Sequence, residues 1–183
     1  MNKRFHLLST LLFSLLGLCI LFVACSEESD CSMTARPYLV CNFYKYGASK
    51  NIVRRDTLPS LTVKALETDS ILLNRDTNVH TWDQPLRYTK KMTAFVLIYD
   101  ENPEAPNALK DTIWVEHNNT SFFVSMECGF QMIQNITSIA NYTQHKLDSV
   151  SLVNSEANYN GKENIKIIFS KCCLHFICTR TIF

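Results

Sequence analysis

Along most of the chain, apolar and polar residues alternate singly, which is the pattern of strands that bury one face. Tyr38, Val40, Asn42 and Tyr44 fall on one side, and Leu39, Cys41, Phe43 and Lys45 on the other. Both sides carry apolar mass, so this strand is expected to be covered on both faces. Residues 46–51 read as a turn or loop. Leu61, Val63 and Ala65 alternate with Thr62, Lys64 and Leu66, and shorter stretches follow at 70–73 and 79–82. Pro85 has no N–H to donate, which excludes a central strand there. Residues 94–99, Ala-Phe-Val-Leu-Ile-Tyr, suit a central strand.

Residues 100–111 carry Pro103 and Pro106 and read as an exposed loop. A strand over 112–116 is expected to turn back through a tight hairpin at residues 117–120, since asparagine tolerates positive φ. Its return strand would run over 121–126. Between 128 and 143, Phe130, Ile133, Ile136 and Ala140 are nearly helical in spacing. Asn135, Thr137, Ser138, Asn141 and Thr143 are poor helix formers, so a strand is expected. Alternation resumes at 149–154 and 165–169. About eight or nine short strands without a long helical pattern predict an all-β fold, an antiparallel β-sandwich of immunoglobulin-like or related type. That domain would span 36–169, leaving residues 170–183 as an atypical tail.

The first 24 residues break the pattern. Lys3 and Arg4 precede a run from Phe5 to Ala24 that contains no acidic residue, with leucines at 7, 8, 11, 12, 15, 16, 18 and 21. The run is long enough for an uncleaved membrane anchor to be considered. Its end decides the reading. Phe22-Val23-Ala24-Cys25 resembles a bacterial lipobox, in which a small residue precedes the cysteine that is acylated and becomes residue one, although leucine is more usual at the Phe22 position. Residues 1–24 are therefore expected to be a lipoprotein signal peptide, and 25–35 a tether acylated at Cys25. Several acyl chains hold a protein stably where a single one does not. The acidic stretch Ser26-Glu27-Glu28-Ser29-Asp30 resembles the export signal of lipoproteins displayed on the outer surface of Bacteroidetes.

Composition narrows the function classes. The chain has 183 residues, 18 basic and 17 acidic, and 46% hydrophobic residues. Loss of residues 1–24 removes Lys3 and Arg4 and no acid, leaving 16 basic against 17 acidic residues, formal net −1. No basic excess points to nucleic acid or another anionic partner. A single domain with a substantial core is expected.

Several segments together carry a family likeness: Asp56-Thr57-Leu58 leading into Ser60-Leu61-Thr62-Val63, Asp69-Ser70-Ile71-Leu72-Leu73, Phe123 to Phe130, Lys146 to Val150, and Glu163 to Phe169. In this order they resemble an uncharacterised family of small Bacteroidetes lipoproteins, over about residues 31–169. Glu127-Cys128-Gly129-Phe130 is the most specific piece. The resemblance implies an envelope location and an all-β fold, and implies no activity. It also makes Asp-Ser/Thr-aliphatic triplets worth weighing, since Bacteroidetes attach O-glycans at such sites. Thr57, Ser70, Thr112 and Ser149 are the candidate acceptors. The same triplets arise wherever a turn feeds a β-branched strand.

Reactive chemistry is sparse. An exported chain meets oxidising conditions, and a Cys31–Cys128 disulfide pinning the tether to the sandwich is expected, with Cys41–Cys128 as rival and a free, buried Cys41 as the alternative for that residue. Cys172, Cys173, His175 and Cys178 space poorly for zinc. His80, His117 and His145 share no ligand spacing and read as surface or turn residues. Asp100, Glu101 and Glu104 read as a solvated loop rather than a calcium site. Trp82, Tyr88 and Trp114 would form an aromatic sugar platform only if they were not core packing. No nucleophile elbow, zinc-protease motif or glycine-rich phosphate loop is present. The expectation is a non-catalytic outer-membrane lipoprotein without a cofactor, an interaction or accessory subunit bound to the membrane through Cys25. It would work beside an outer-membrane β-barrel or another envelope protein. A glycan-binding module on the cell surface is the alternative.

Overall fold

The alternation in the sequence becomes two packed sheets. The structure, a computed structural model, describes His6 and residues 37–47, 52–157 and 161–169. The expected signal peptide (His6 apart), the tether with Cys25 and Cys31, and the tail from 170 lie outside these residues. The chain divides into two units, 1–31 and 32–183, and every described strand lies in the second.

The strands are β1 (Leu39–Tyr46), β2 (Val53–Arg55), β3 (Leu58–Ala65), β4 (Ile71–Val79), β5 (Thr81–Gln84), β6 (Met92–Ile98), β7 (Lys110–Ser125), β8 (Gly129–Tyr142), β9 (Leu147–Leu152), β10 (Glu156–Ala157) and β11 (Ile165–Phe169). One sheet runs β2-β1-β11-β9, with β5 also paired to β1; the other runs β10-β8-β7-β6-β3-β4. All pairings are antiparallel except β1 with β11, which run parallel with Cys41 opposite Ile165 and Lys45 opposite Phe169. The expected antiparallel sandwich therefore holds, with one parallel seam where the first strand meets the last.

The core fills the space between the sheets. Leu39, Cys41 and Phe43 of β1 and Ile165, Ile167 and Phe169 of β11 face Leu61, Val63, Phe95, Leu97, Ile113, Val115 and Ile136 of the other sheet. Trp82 stands edge-on to Phe95 at 4.8 Å, and Phe169 packs on Phe43 at 5.6 Å and Tyr99 at 5.7 Å. Each such aromatic gains about 1.5–3 kcal/mol from burial.

Three expectations are corrected. The tight hairpin at 117–120 does not form. β7 runs straight through it to Ser125, and the turn comes at 126–128. Positive φ is taken by Gly129, at 65°, where no Cβ opposes it, and not by Asn118 or Asn119. The short stretch at 70–73 is the start of a nine-residue strand, β4. Its second half, Asn74 to Asn78, is polar and exposed, and Arg75 and Asn78 sit at positive φ (49° and 56°). That irregular edge carries no readable alternation. β4 and β5 are separated by His80 alone, so the expected 79–82 strand is a corner between the sheets.

Candidate functional site

The longest ribbon of the fold is β7–β8, and its root is built on buried polar groups. His117 is on the inward face of β7 and is buried. Its Nδ1 lies 2.9 Å from Asn119 Oδ1, and its Nε2 2.8 Å from Thr93 Oγ1. Asn119 Nδ2 faces three backbone carbonyls, of Arg87 at 2.9 Å and of Tyr88 and Lys90 at 2.8 Å. Its Oδ1 must then accept, so His117 donates from Nδ1, and Nε2 accepts from the Thr93 hydroxyl. Thr93 Oγ1 in turn accepts the Arg87 N–H at 3.0 Å. Gln134 Nε2 donates to Asn119 Oδ1 at 2.9 Å and to the Leu86 carbonyl at 3.2 Å. Burial holds the His117 ring below its usual pKa, only partly offset by Asn119. His117 is thus a core residue, correcting its reading as a surface or turn residue.

This network fastens the loop 85–91 to the ribbon root. Outside it lies an open depression of about 520 Å³, lined by Tyr88, Thr89, Lys90, Lys91, Asn118, Asn119 and Thr120. Glu67 pairs with Arg87 and Lys90 beside it, and its carboxyl is held low first by Lys90 and then by Arg87. Such a lining offers hydrogen bonds and positive charge. It offers no nucleophile paired with a base.

The other concentrated polar group is Asp111. It is buried, and its oxygens accept from Thr143 Oγ1 (2.7 Å), the backbone N–H groups of His145 (2.7 Å), Lys146 (2.8 Å) and Leu147 (3.0 Å), and Tyr99 Oη (3.2 Å). His145 Nδ1 is 3.1 Å away. Burial alone would raise the carboxyl. The donated hydrogen bonds, led by those of His145 and Lys146, outweigh it and hold it low. Burial and the adjacent Asp111 push the Tyr99 phenol up. The carboxylate is saturated by structural donors, so it has no free lone pair for a substrate proton.

The remaining residues singled out by the sequence are dispersed. Cys41 is free and buried, and burial, then the charges of Glu163 and Asp83, push its thiol up. Cys128, at the tip of β7–β8, is disulfide-bonded, with a partner outside the described residues. A Cys41–Cys128 pairing is therefore ruled out. Thr57 and Ser70 are exposed ahead of β3 and β4, whereas Thr112 and Ser149 are half-buried within β7 and β9. Trp82 is in the core and Trp114 on the opposite face of the second sheet, so the two tryptophans do not build one platform. Glu104 pairs with Lys64 at 3.0 Å, and Asp100 accepts the Leu109 N–H. Among the described residues no group of three or more His, Cys, Asp or Glu could hold a metal ion, and no helix is long and apolar enough to cross a membrane.

A family match covers residues 60–169, from β3 to β11. The chain belongs to the DUF6452 family, a family of unknown function. Comparison with curated proteins and with solved structures gave no match. The DUF6452 segment begins inside β3, yet β1 lies between β2 and β11 in its sheet. The folded unit thus extends N-terminal to the matched segment.

Two of these features were invisible in the sequence. Asn119 reads as hairpin-turn chemistry and nothing in the sequence singles out Gln134; only pairing across β7–β8 shows that both serve the 85–91 loop. In the sequence Asp111 stands out only as the first member of a triplet. The signal that singles it out, three consecutive backbone N–H groups from 145–147, is more than thirty residues away.

Proposed function

We propose that this chain is a non-catalytic outer-membrane lipoprotein, held by acylated Cys25, that serves as an interaction or accessory subunit in the cell envelope. The observation that carries the reading is the Ala24-Cys25 junction after the apolar run. The structure lends support of a different kind. The groups best suited to acid–base work, Asp111 and His117, are consumed by backbone and side-chain partners. The acidic residues after Cys25 favour display at the outer surface, and Thr57 and Ser70 are the better exposed of the four candidate glycan acceptors. The deciding experiment is Cys25→Ala, followed by fractionation and by crosslinking with mass spectrometry of the envelope. Release of the variant from the membrane, and a stoichiometric barrel captured by the wild type, are expected. A variant that is still processed and membrane-bound would end the lipoprotein reading.

One observation favours a second reading. The depression between the 88–91 loop and residues 118–120 is polar, open and large enough for a sugar unit. Under that reading the module binds a glycan there, and not at Trp82. Loss of binding in Asn118→Ala on a glycan array would support it, and an array without hits would remove it.

A further inference from the structure

The β7–β8 ribbon continues past the strands that flank it. β6 accompanies β7 only as far as Glu116, and β10 meets β8 only at Gln134 and Asn135. The stretch beyond is apolar and exposed. Met126 at the turn is 87% exposed and Phe130 73%. Phe123 and Phe130 meet across the strands at 5.4 Å, on the face that carries Asn119 and Gln134 nearer the root. Phe122 and Ile133 occupy the other face and are exposed as well.

Together with Val124, these side chains leave about 600 Å² in water, by their exposed fractions. Two copies have about 1,200 Å² between them, the size at which stable protein interfaces begin. The composition is also that of an interface core, with aromatic rings and methionine and few charges. Glu127 is the only charged residue between 120 and 133. The segment holds no Trp, Tyr, Lys or Arg, the residues that anchor a protein at a bilayer surface.

Apolar exposure on both faces calls for a slot with two walls. The fold supplies one in the depression of about 520 Å³ between the 88–91 loop and residues 118–120. The Tyr88 ring and the stems of Lys90 and Lys91 give it apolar surface. Its charge is opposite to that of the tip. Arg87 and Lys90 share one carboxylate, Glu67, and Lys91 adds a further cation, so the rim is positive. The spacing also matches. At about 3.3 Å per residue, Met126 lies about 10 Å beyond the Phe123–Phe130 rung, and Thr120 about 10 Å short of it. A two-fold axis through that rung brings each turn level with residues 118–120 of the other copy. A copy does not fill its own depression, because its turn is about 20 Å along the ribbon from Thr120.

We propose that two copies of this chain form a symmetric dimer in which the β7–β8 turn of each, with Met126 and Glu127, seats in the depression of the other. The interface uses the same patch on both copies and closes on itself, so assembly stops at two. The Phe123–Phe130 rungs meet at the axis, and Glu127 faces Lys91. The inference does not depend on the membrane anchor and goes beyond the accessory-subunit reading: the subunit works as a pair, and in the pair its depression is filled by protein.

The test uses the full chain in intact cells, with a photoreactive benzophenone amino acid at Met126 in one variant and at Phe130 in another. Neither position is packed in the core, so folding is retained. Irradiation is expected to give a product of twice the chain's mass. Peptide mapping of that product is expected to place the link in residues 88–91 or 118–120 of the second copy. Glu127→Lys and Lys91→Glu are each expected to lower the yield about fivefold, and the two together to restore it. Links only to phospholipid or only to a different protein overturn the inference, as does the absence of any product. A doubled product linked turn to turn overturns it too, and so does a double variant no better than either single one.

Discussion

Asp111 Oδ2 accepts the backbone N–H of Leu147 at 3.0 Å, so a side chain at the start of β7 fixes the start of β9 in the opposite sheet. The same carboxylate holds the N–H groups of His145 and Lys146, and Lys146 Nζ lies 4.7 Å over the Tyr99 ring beside it. One buried charge thus closes the corner through which the chain leaves one sheet for the other.

Asp111→Asn is expected to lower stability by about 2–4 kcal/mol, because an amide presents N–H groups to donors that need an acceptor. The pH dependence has a definite sign. The folded carboxyl is held below its usual value. Its contribution is complete above the unfolded value of about 3.9 and is lost as pH falls through the lower folded value. Urea unfolding across this acid range should show a steep loss for the wild type and a shallower one for Asp111→Asn. Parallel slopes would show that Asp111 is not the linked group.

His117 titrates in a separate window. Its folded pKa is lowered by burial, so the unfolded chain takes up the proton first. Stability is complete above the unfolded value of about 6.5 and falls as pH drops below it towards the lower folded value. His117→Gln keeps a polar group without that titration. It is expected to remove the loss of stability between neutral and mildly acidic pH while leaving the Asp111 loss in place. Hydrogen exchange of the 85–91 amides should rise in wild type over the same interval. A flat wild-type profile would contradict the neutral, buried ring.

How much of this was legible in the sequence depends on where the core lies. β1, β6 and β11 were readable because their inward residues are apolar at every second position and line one cavity. β4 was not, because only Leu72, Leu73 and the terminal Val79 pack, and Asn74 to Asn78 between them form an irregular exposed edge. Asn118 and Asn119 misled for a physical reason. Their polarity looks like turn chemistry, whereas Asn119 stays extended and spends its amide on three loop carbonyls. Partnerships such as Asp111 with 145–147 join segments whose adjacency only the folded topology creates. Cysteine connectivity was equally closed to the sequence, and burial of a free Cys41 removes one of its two candidate pairings for Cys128.

Cys41 should behave as an inert core residue. Its thiol is pushed up by burial, so almost no thiolate exists near neutral pH. It is expected to resist Ellman's reagent in the native protein and to react once urea unfolds it. Cys41→Ser is expected to cost about 1–3 kcal/mol by placing a hydroxyl opposite Ile165 in the core. Rapid native labelling mapped to Cys41 by mass spectrometry would contradict the packing.

Asn164 gives the sharpest test of the buried polar design. Its side chain is fully buried between β1 and the β9–β10 turn. Oδ1 accepts the Val40 N–H at 2.9 Å, and Nδ2 donates to the carbonyls of Glu156 at 2.7 Å and Asn154 at 3.1 Å. Asn164→Ala strands three backbone groups and is expected to cost about 3–5 kcal/mol. Asn164→Asp keeps the acceptor but aims a carboxylate at two carbonyl oxygens. Burial and those oxygens would raise the introduced carboxyl above its unfolded value. Its penalty would then be least below about pH 3.9 and grow as pH rises through the higher folded value. Relative to wild type, the variant should therefore gain stability on acidification, the reverse of the Asp111 effect. Chemical unfolding of both proteins over the same pH series checks this, and a stability difference that stays constant with pH would mean that Asn164 is not clasped between those carbonyls.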